Sequence, residues 1–320
     1  MTKLQELKYI LAHGSSNKFV MIDAVSQEVE SGTAAAAEYV RQVCEKFKSD
    51  GALFVERFDD EYLAMNMYNT DGTQAEMCGN GMRIVARLAD ERYINEERFT
   101  LFSGGRAYPI VRSEVNEVRV ESGEMVSIPN YGVEIAIRTS SDEFTPSQDQ
   151  FIDRAIEELH PTLRFTYLNL GNPHIIAKVD EIDLDLLSKL GERVKELPHI
   201  FTRGVNVSLM MPIGEGEIFV ATYERGVGLT ASCGTAMTAS STTAALLGIC
   251  KWGEAITVRN RGGFVKCICN RDESGELRTQ LIGNATYIES GVISSTLEIV
   301  KQQSFDNEVE AWDKFTKQQQ

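Results

Sequence analysis

Apolar residues along the chain fall into short runs separated by glycine and polar turns, with a few stretches of helical period between them. Phe19-Val20-Met21-Ile22-Asp23 follows the tight loop His13-Gly14-Ser15-Ser16-Asn17 and reads as a buried strand. Residues 52–56 and 62–68 read the same way. Between Asp23 and residue 52, Ala34, Ala37, Val40, Cys44 and Phe47 recur at three- and four-residue steps, which predicts a helix over residues 31–48 with Cys44 as a small buried hydrophobe. Met82, Ile84, Val85, Leu88 and Ala89 keep a helical period with apolar residues on more than one side. Such a helix belongs in the middle of its domain. Strands are expected again from residue 100, with alternation over 115–120.

The second half repeats this order. A Ser-, Thr- and Asp-rich stretch at 137–150 is the linker candidate, and residues 151–159 suggest a short helix. Strands are expected over 165–179, a helix over 183–197, strands at 205–207 and 218–222, then a helix of small residues after Cys233. Residues 257–263, 264–269 and 277–282 complete the set. From residue 294 onward Lys, Gln, Asp and Glu dominate, which suggests a fraying surface helix without chemistry.

One stretch is written twice. Tyr68 and Tyr223 are each followed by nine residues, Cys-Gly, two more residues and Met, so that Cys78 and Cys233 are offset by 233 − 78 = 155. The offset between Asn17 and Asn172, 172 − 17, is the same 155. Two landmarks in register point to a duplicated unit of about 150 residues, one ordinary domain. The expected domains are therefore residues 1–137 with Cys78, residues 138–290 with Cys233, and a C-terminal tail over 291–320.

A net charge of −15 and a pI near 4.8, without any Lys/Arg cluster, argue against a nucleic-acid partner. The chain shows neither a signal-peptide pattern nor a long apolar run, so no membrane partner and a cytoplasmic location are expected. A small-molecule partner is expected, and a homodimer is compatible with the chain. Six cysteines without C-x-x-C spacing read as reduced thiols, with neither a disulfide scaffold nor a metal site.

Cys78 and Cys233 each stand where a polar loop turns into a helix. Unpaired N–H groups and the helix dipole favour a thiolate there and also bind carboxylates. If the two halves faced each other, the sulfurs would flank one α-carbon, an arrangement suited to removing a proton from one face and delivering it to the other. The competing reading is that both cysteines merely pack at helix starts. Gly79-Asn80-Gly81 is no dinucleotide fingerprint, because a third glycine is absent. No lysine has the glycine-rich context of a pyridoxal phosphate site, so no cofactor is expected. His174 by itself reads as a loop hydrogen-bonder.

The ordered motifs Asn69-x-Asp71-Gly72-x5-Cys78-Gly79-Asn80-Gly81-x-Arg83, Gly171-Asn172-Pro173-His174, Val205-Asn206-Val207 and Tyr223-Glu224-Arg225-Gly226-x6-Cys233-Gly234-Thr235 resemble the diaminopimelate epimerase family. The resemblance runs from His13 to about residue 285. It implies an α+β fold of two pseudo-symmetric domains, each a mixed or antiparallel sheet wrapped around a central helix, with the active site in the cleft between them. It also implies a cofactor-independent isomerase that epimerises LL-2,6-diaminopimelate to the meso form for lysine and cell-wall precursors. On this resemblance Cys78 and Cys233 are the acid/base pair, and His174 and Glu224 tune the thiols. Asn17, Asn69, Gly79, Asn80, Asn172, Asn206, Glu224, Arg225, Gly234 and Thr235 bind substrate.

Proline racemases share the two-cysteine plan, but typically have Cys-Gly-His where this chain has Cys78-Gly79-Asn80. Four departures from the family pattern bear on the substrate. Lys18 replaces an acid, Gly51 stands where a substrate-contacting Gln is frequent, Ile84 stands where a second cysteine is common, and Ala236 replaces a glycine. The changes at Lys18 and Gly51 leave open a racemase of another amino acid, such as histidine or lysine, on the same fold. A non-catalytic amino-acid-binding protein is the reading from a different class.

Overall fold

A computed structural model describes residues 6–145 and 150–318. The chain parts into two compact units, one formed by residues up to Val133 together with those from Ile282 onward, the other by Glu134–Leu281. Among the described residues no helix is long and apolar enough to cross a membrane.

The first unit begins with strands β1 (Leu7–Gly14) and β2 (Asn17–Asp23), a short α1 (Ala24–Gln27) and α2 (Ala34–Phe47). Strands β3 (Gly51–Arg57), β4 (Leu63–Asn69) and β5 (Gln74–Ala75) lead to α3 (Gly79–Ala89), after which β6 (Arg98–Ser103), β7 (Arg106–Arg119) and β8 (Met125–Ile137) follow. The second unit has β9 (Arg154–Ala155), β10 (Arg164–Asn169), β11 (Pro173–Lys178), α4 (Leu184–Lys195), β12 (Asn206–Gly214), β13 (Glu217–Glu224) and β14 (Gly228–Thr230). Helix α5 (Gly234–Leu246) and strands β15 (Ala255–Asn260) and β16 (Gly263–Arg271) follow, and β17 (Leu277–Asn284) leads out of the second unit, its residues from Ile282 onward belonging to the first. The chain closes with β18 (Thr286–Ile293), β19 (Ile299–Ser304) and α6 (Asp306–Gln318).

The duplication is carried by the backbone register. In the first unit β2 runs parallel to β3 with Phe19 opposite Gly51; in the second β11 runs parallel to β12 with His174 opposite Asn206, and 19 + 155 = 174 while 51 + 155 = 206. The antiparallel pairs repeat it: Ala52 faces Tyr68 and Val207 faces Tyr223, then Tyr68 faces Gln74 and Tyr223 faces Leu229. Upstream the match slips by one residue, because β1 and β2 are joined by Ser15-Ser16 alone whereas Leu170-Gly171-Asn172 joins β10 to β11. Both serines adopt positive φ, the conformation a two-residue hairpin of this hand requires.

Each central helix is buried along its length. Every residue of α3 is buried, as is every residue of α5 except Leu246. A sheet can wrap such a helix only if its surface is apolar or internally hydrogen-bonded. Thr238 and Thr242 of α5 meet that condition by donating to the carbonyls of Gly234 and Thr238, one turn back.

Three expectations change. Residues 151–159 form no helix. Phe151, Ile156 and Leu159 are buried in an aromatic core with Phe144, Tyr167 and Phe201, and Asp153 adopts a left-handed conformation (φ 48°) that breaks the helical path. Nine residues make few helical bonds, and burial of Phe151 edge-on against Phe144 decides the conformation instead. The linker candidate is packed rather than loose where it is described: Arg138 bridges to Asn169 and Phe144 to Phe201. Its residues 146–149 lie outside the described residues.

The tail is the third. β18 pairs antiparallel with β1, β19 with β18, and α6 buries Ala311 and Trp312 against Val118, Val120, Val126 and Ile128. Residues 282–318 therefore belong to the first unit, and not to a second half ending at 290 followed by a surface tail. An apolar face of Trp312 with Phe315 was hidden in the sequence by the surrounding Lys, Gln and Glu. Gln319 and Gln320 lie outside the described residues.

Candidate active site

Cys78 and Cys233 occupy the same structural position in their units. Each is the N-cap of its central helix, in extended conformation, with φ/ψ of −141°/115° and −130°/110°. Cys78 Sγ accepts from Gly81 N at 3.4 Å, and Cys233 Sγ lies 3.5 Å from Thr235 Oγ1. A sulfur that takes a helix N–H is held in the positive end of the helix field, which favours its anionic form. Three other thiols have different surroundings: burial pushes Cys44, Cys250 and Cys269 up from the usual thiol range, which keeps them protonated.

In the first unit, Asn17 and Asn80 are brought together. Asp50 takes the Asn17 amide N–H at 2.8 Å and the Lys18 backbone N–H at 2.7 Å, so Asn17 is oriented with Oδ1 toward Asn80, whose Nδ2 donates to it at 3.2 Å. This leaves Asn80 Oδ1 buried with no hydrogen-bond partner among the described residues. Gly79 follows Cys78 at the buried helix start. Asn69 is opposite Gly51 on the sheet and donates its amide to Thr73 Oγ1 at 3.0 Å, shaping the turn that delivers the chain toward Cys78.

The second unit brings together more of the expected residues. Asn172 Nδ2 donates to Thr235 Oγ1 at 3.2 Å, the equivalent of the Asn17–Asn80 bond, since 17 + 155 = 172 and 80 + 155 = 235. His174 Nε2 lies 3.1 Å from Asn172 Oδ1 and 3.5 Å from Asn206 Nδ2. His174 Nδ1 is buried without a partner among the described residues. Burial, with the charge of Arg225 added, depresses His174 to about 3, so it is neutral at physiological pH. Asn206 Oδ1 accepts from Arg225 N at 2.8 Å. The Arg225 guanidinium donates to Arg203 O at 2.6 Å, and its stem passes where a Cβ on Gly204 would come within 2.9 Å. Glu224 closes β13 opposite Gly228, and Gly234 opens α5.

One departure, Gly51, gains a physical reason. A Cβ on Gly51 would meet Tyr68 O at 2.5 Å and Phe19 Cε1 at 3.2 Å, so this strand has no space for a side chain. Its counterpart in the other unit is Asn206, and the two halves therefore offer different groups at one topological position. Asp50 was missed as an orienting residue, because only the parallel register of β2 and β3 brings it to Asn17.

The sequence profile described as Diaminopimelate epimerase matches residues 9–128 and 166–288. The chain is 33% identical over 304 residues to the diaminopimelate epimerase of Clostridium acetobutylicum, covering 94% of this chain and 90% of that one. It is 36% identical over 294 residues to the diaminopimelate epimerase of Enterococcus faecalis, covering 86% and 85%. Among solved structures the fold resembles a Bacillus anthracis phenazine biosynthesis protein of the PhzF family (TM-score 0.63, 16% identity, 91% of this chain and 99% of that one). It also resembles a hydroxyproline epimerase from Agrobacterium vitis (TM-score 0.59, 12% identity, 92% and 93%). With a profile match across both halves and relatives above 30% identity along nearly its whole length, the chain belongs to the diaminopimelate epimerase family.

Proposed function

We propose that this protein interconverts LL- and meso-diaminopimelate by a cofactor-independent, two-base reaction in which Cys78 and Cys233 are the acid/base pair. The observation that carries this reading is the equivalence of the two cysteines: both cap a buried helix in the same conformation, 155 residues apart. One thiolate takes the proton as the α-carbon–hydrogen bond breaks, and the electron pair moves into the carboxylate as an enolate-like charge. The other thiol delivers a proton to the opposite face, so the thiolate and thiol exchange roles and charge is conserved.

The α-hydrogen is far less acidic than a thiol, so the developing charge has to be stabilised. Preorganised N–H donors at the helix starts, from Gly79 and Asn80 and from Gly234 and Thr235, supply this, each worth about 2.7–4 kcal/mol where water is excluded. Asn17, Asn69, Asn172, Asn206 and Glu224 complete the substrate contacts, and Arg225 pairs with the distal carboxylate. A neutral His174 orients Asn172 without adding a charge.

A second reading, racemisation of another amino acid such as histidine or lysine, is favoured by the closed space at Gly51. Incubation in deuterated water separates the readings. LL-diaminopimelate should gain deuterium at the inverted centre, and L-histidine and L-lysine should not; the reverse pattern selects the second reading. Binding without exchange would mean a non-catalytic protein. Cys78→Ala and Cys233→Ala should each abolish inversion, and full activity in either variant would overturn the thiol pair.

A further inference from the structure

Arg83 is among the largest fully buried side chains of the protein, one and a half turns into α3 from Cys78. Its guanidinium ties three segments of the first unit together: Nη1 donates to Gly79 O at 3.3 Å, Nη2 to Ser15 Oγ at 3.0 Å and Nε to Asn284 O at 3.2 Å. The surroundings are shaped for it. A Cβ on Gly14 would lie 3.0 Å from Nη2, and one on Gly283 3.0 Å from Cζ and Nε.

The other unit does the same job differently. The position 83 + 155 is Thr238, whose hydroxyl donates at 2.9 Å to Gly234 O, and 79 + 155 = 234. The carbonyl that follows each cysteine is thus held from the same position, by a permanent cation beneath Cys78 and by a neutral hydroxyl beneath Cys233.

We propose that Arg83 is a positioning residue for Cys78, fixing the first turn of α3 and biasing that sulfur toward thiolate. This rests on the thiol-pair reading. A buried guanidinium is always charged, and a cation near a thiol favours the anion.

The other ionisable groups around it are accounted for. His13, on β1, is buried, feels the Arg83 charge and stays neutral. Arg87, one turn further along α3, is paired with Glu91 and Glu308. Asp50 is engaged by Asn17 and Lys18, and Glu76, two residues before Cys78, is exposed to solvent.

The test reads Cys78 alkylation by iodoacetamide against pH in the full-length protein, with the Cys78 peptide followed by mass spectrometry, alongside kcat. Arg83→Met and Arg83→Gln should move the alkylation midpoint up by about half a pH unit or more. Arg83→Lys, which keeps the charge but loses the fork, should leave the midpoint within about 0.3 unit while kcat falls at least about tenfold. A merely structural role would lower activity in all three with no shift in midpoint, and that result overturns the proposal. Should the neutral variants not fold, Arg83→Lys decides alone: unchanged kcat, or a midpoint raised by about a full unit, refutes it. Alkylation reports on Cys78 whether or not turnover occurs. Failure here therefore stays distinct from failure of the thiol pair, which full activity in Cys78→Ala would show.

Discussion

Asn80 donates its side-chain amide to Asn17 across 3.2 Å, joining the first turn of the central helix to the start of a strand 63 residues earlier. Asn172 and Thr235 make the equivalent bond in the other unit. Asn17→Ala and Asn172→Ala should each lower kcat/KM by about 10–1000-fold, equivalent to about 1.4–4 kcal/mol of transition-state stabilisation. Thermal melting should move little, because Asn17 and Asn172 are only partly buried. Steady-state kinetics beside calorimetry checks both, and an unchanged kcat/KM removes these residues from the site.

Acid should unfold the protein through its buried histidines. An unfolded histidine binds a proton near pH 6.5, whereas burial holds His13 down to about 4 and His174 to about 3 in the folded state. Between those limits the unfolded chain binds more protons, so the stability present above pH 6.5 is lost as pH falls toward 4. From pH 7 to pH 5 each histidine should remove about 2 kcal/mol. Urea denaturation at the two pH values measures this, and His174→Asn should show a shallower dependence than the native protein.

Gly51→Ala should destabilise the first unit by about 1–3 kcal/mol, the usual cost of overpacking, because the new methyl meets the Tyr68 carbonyl at 2.5 Å. Its signature is a lower urea midpoint at unchanged slope. A native midpoint would show that the strand can move aside.

Glu308 of α6 grips Arg87 of α3 with both oxygens, at 2.6 and 2.9 Å, while Arg87 lies 3.6 Å above the Tyr287 ring. Glu308→Ala leaves a buried guanidinium with half its partners and should cost about 3 kcal/mol. Glu308→Gln should cost less. Chemical denaturation ranks the three, and equal stabilities would remove α6 as a brace of the central helix.

Much of this was legible in the sequence because it is local or repeated. Each cysteine stands where a polar loop gives way to a helical period, which places it at a helix start, and the 155-residue offset survives in the strand register. What stayed hidden depends on partners far along the chain. Asp50 reaches Asn17 only through parallel pairing, Arg83 is fixed in part by Asn284, and Phe151 follows an aromatic core rather than a helical stripe. Trp312 sat in a stretch whose average polarity masked one apolar face.

The return of residues 282–318 to the first unit bears on how the chain is made. β1 lacks its β18 neighbour, Arg87 its carboxylate and Arg83 its Asn284 carbonyl until those residues have left the ribosome. The half translated first is thus the last to finish folding, and its central helix stays incompletely braced during synthesis while the later half can already have closed its core.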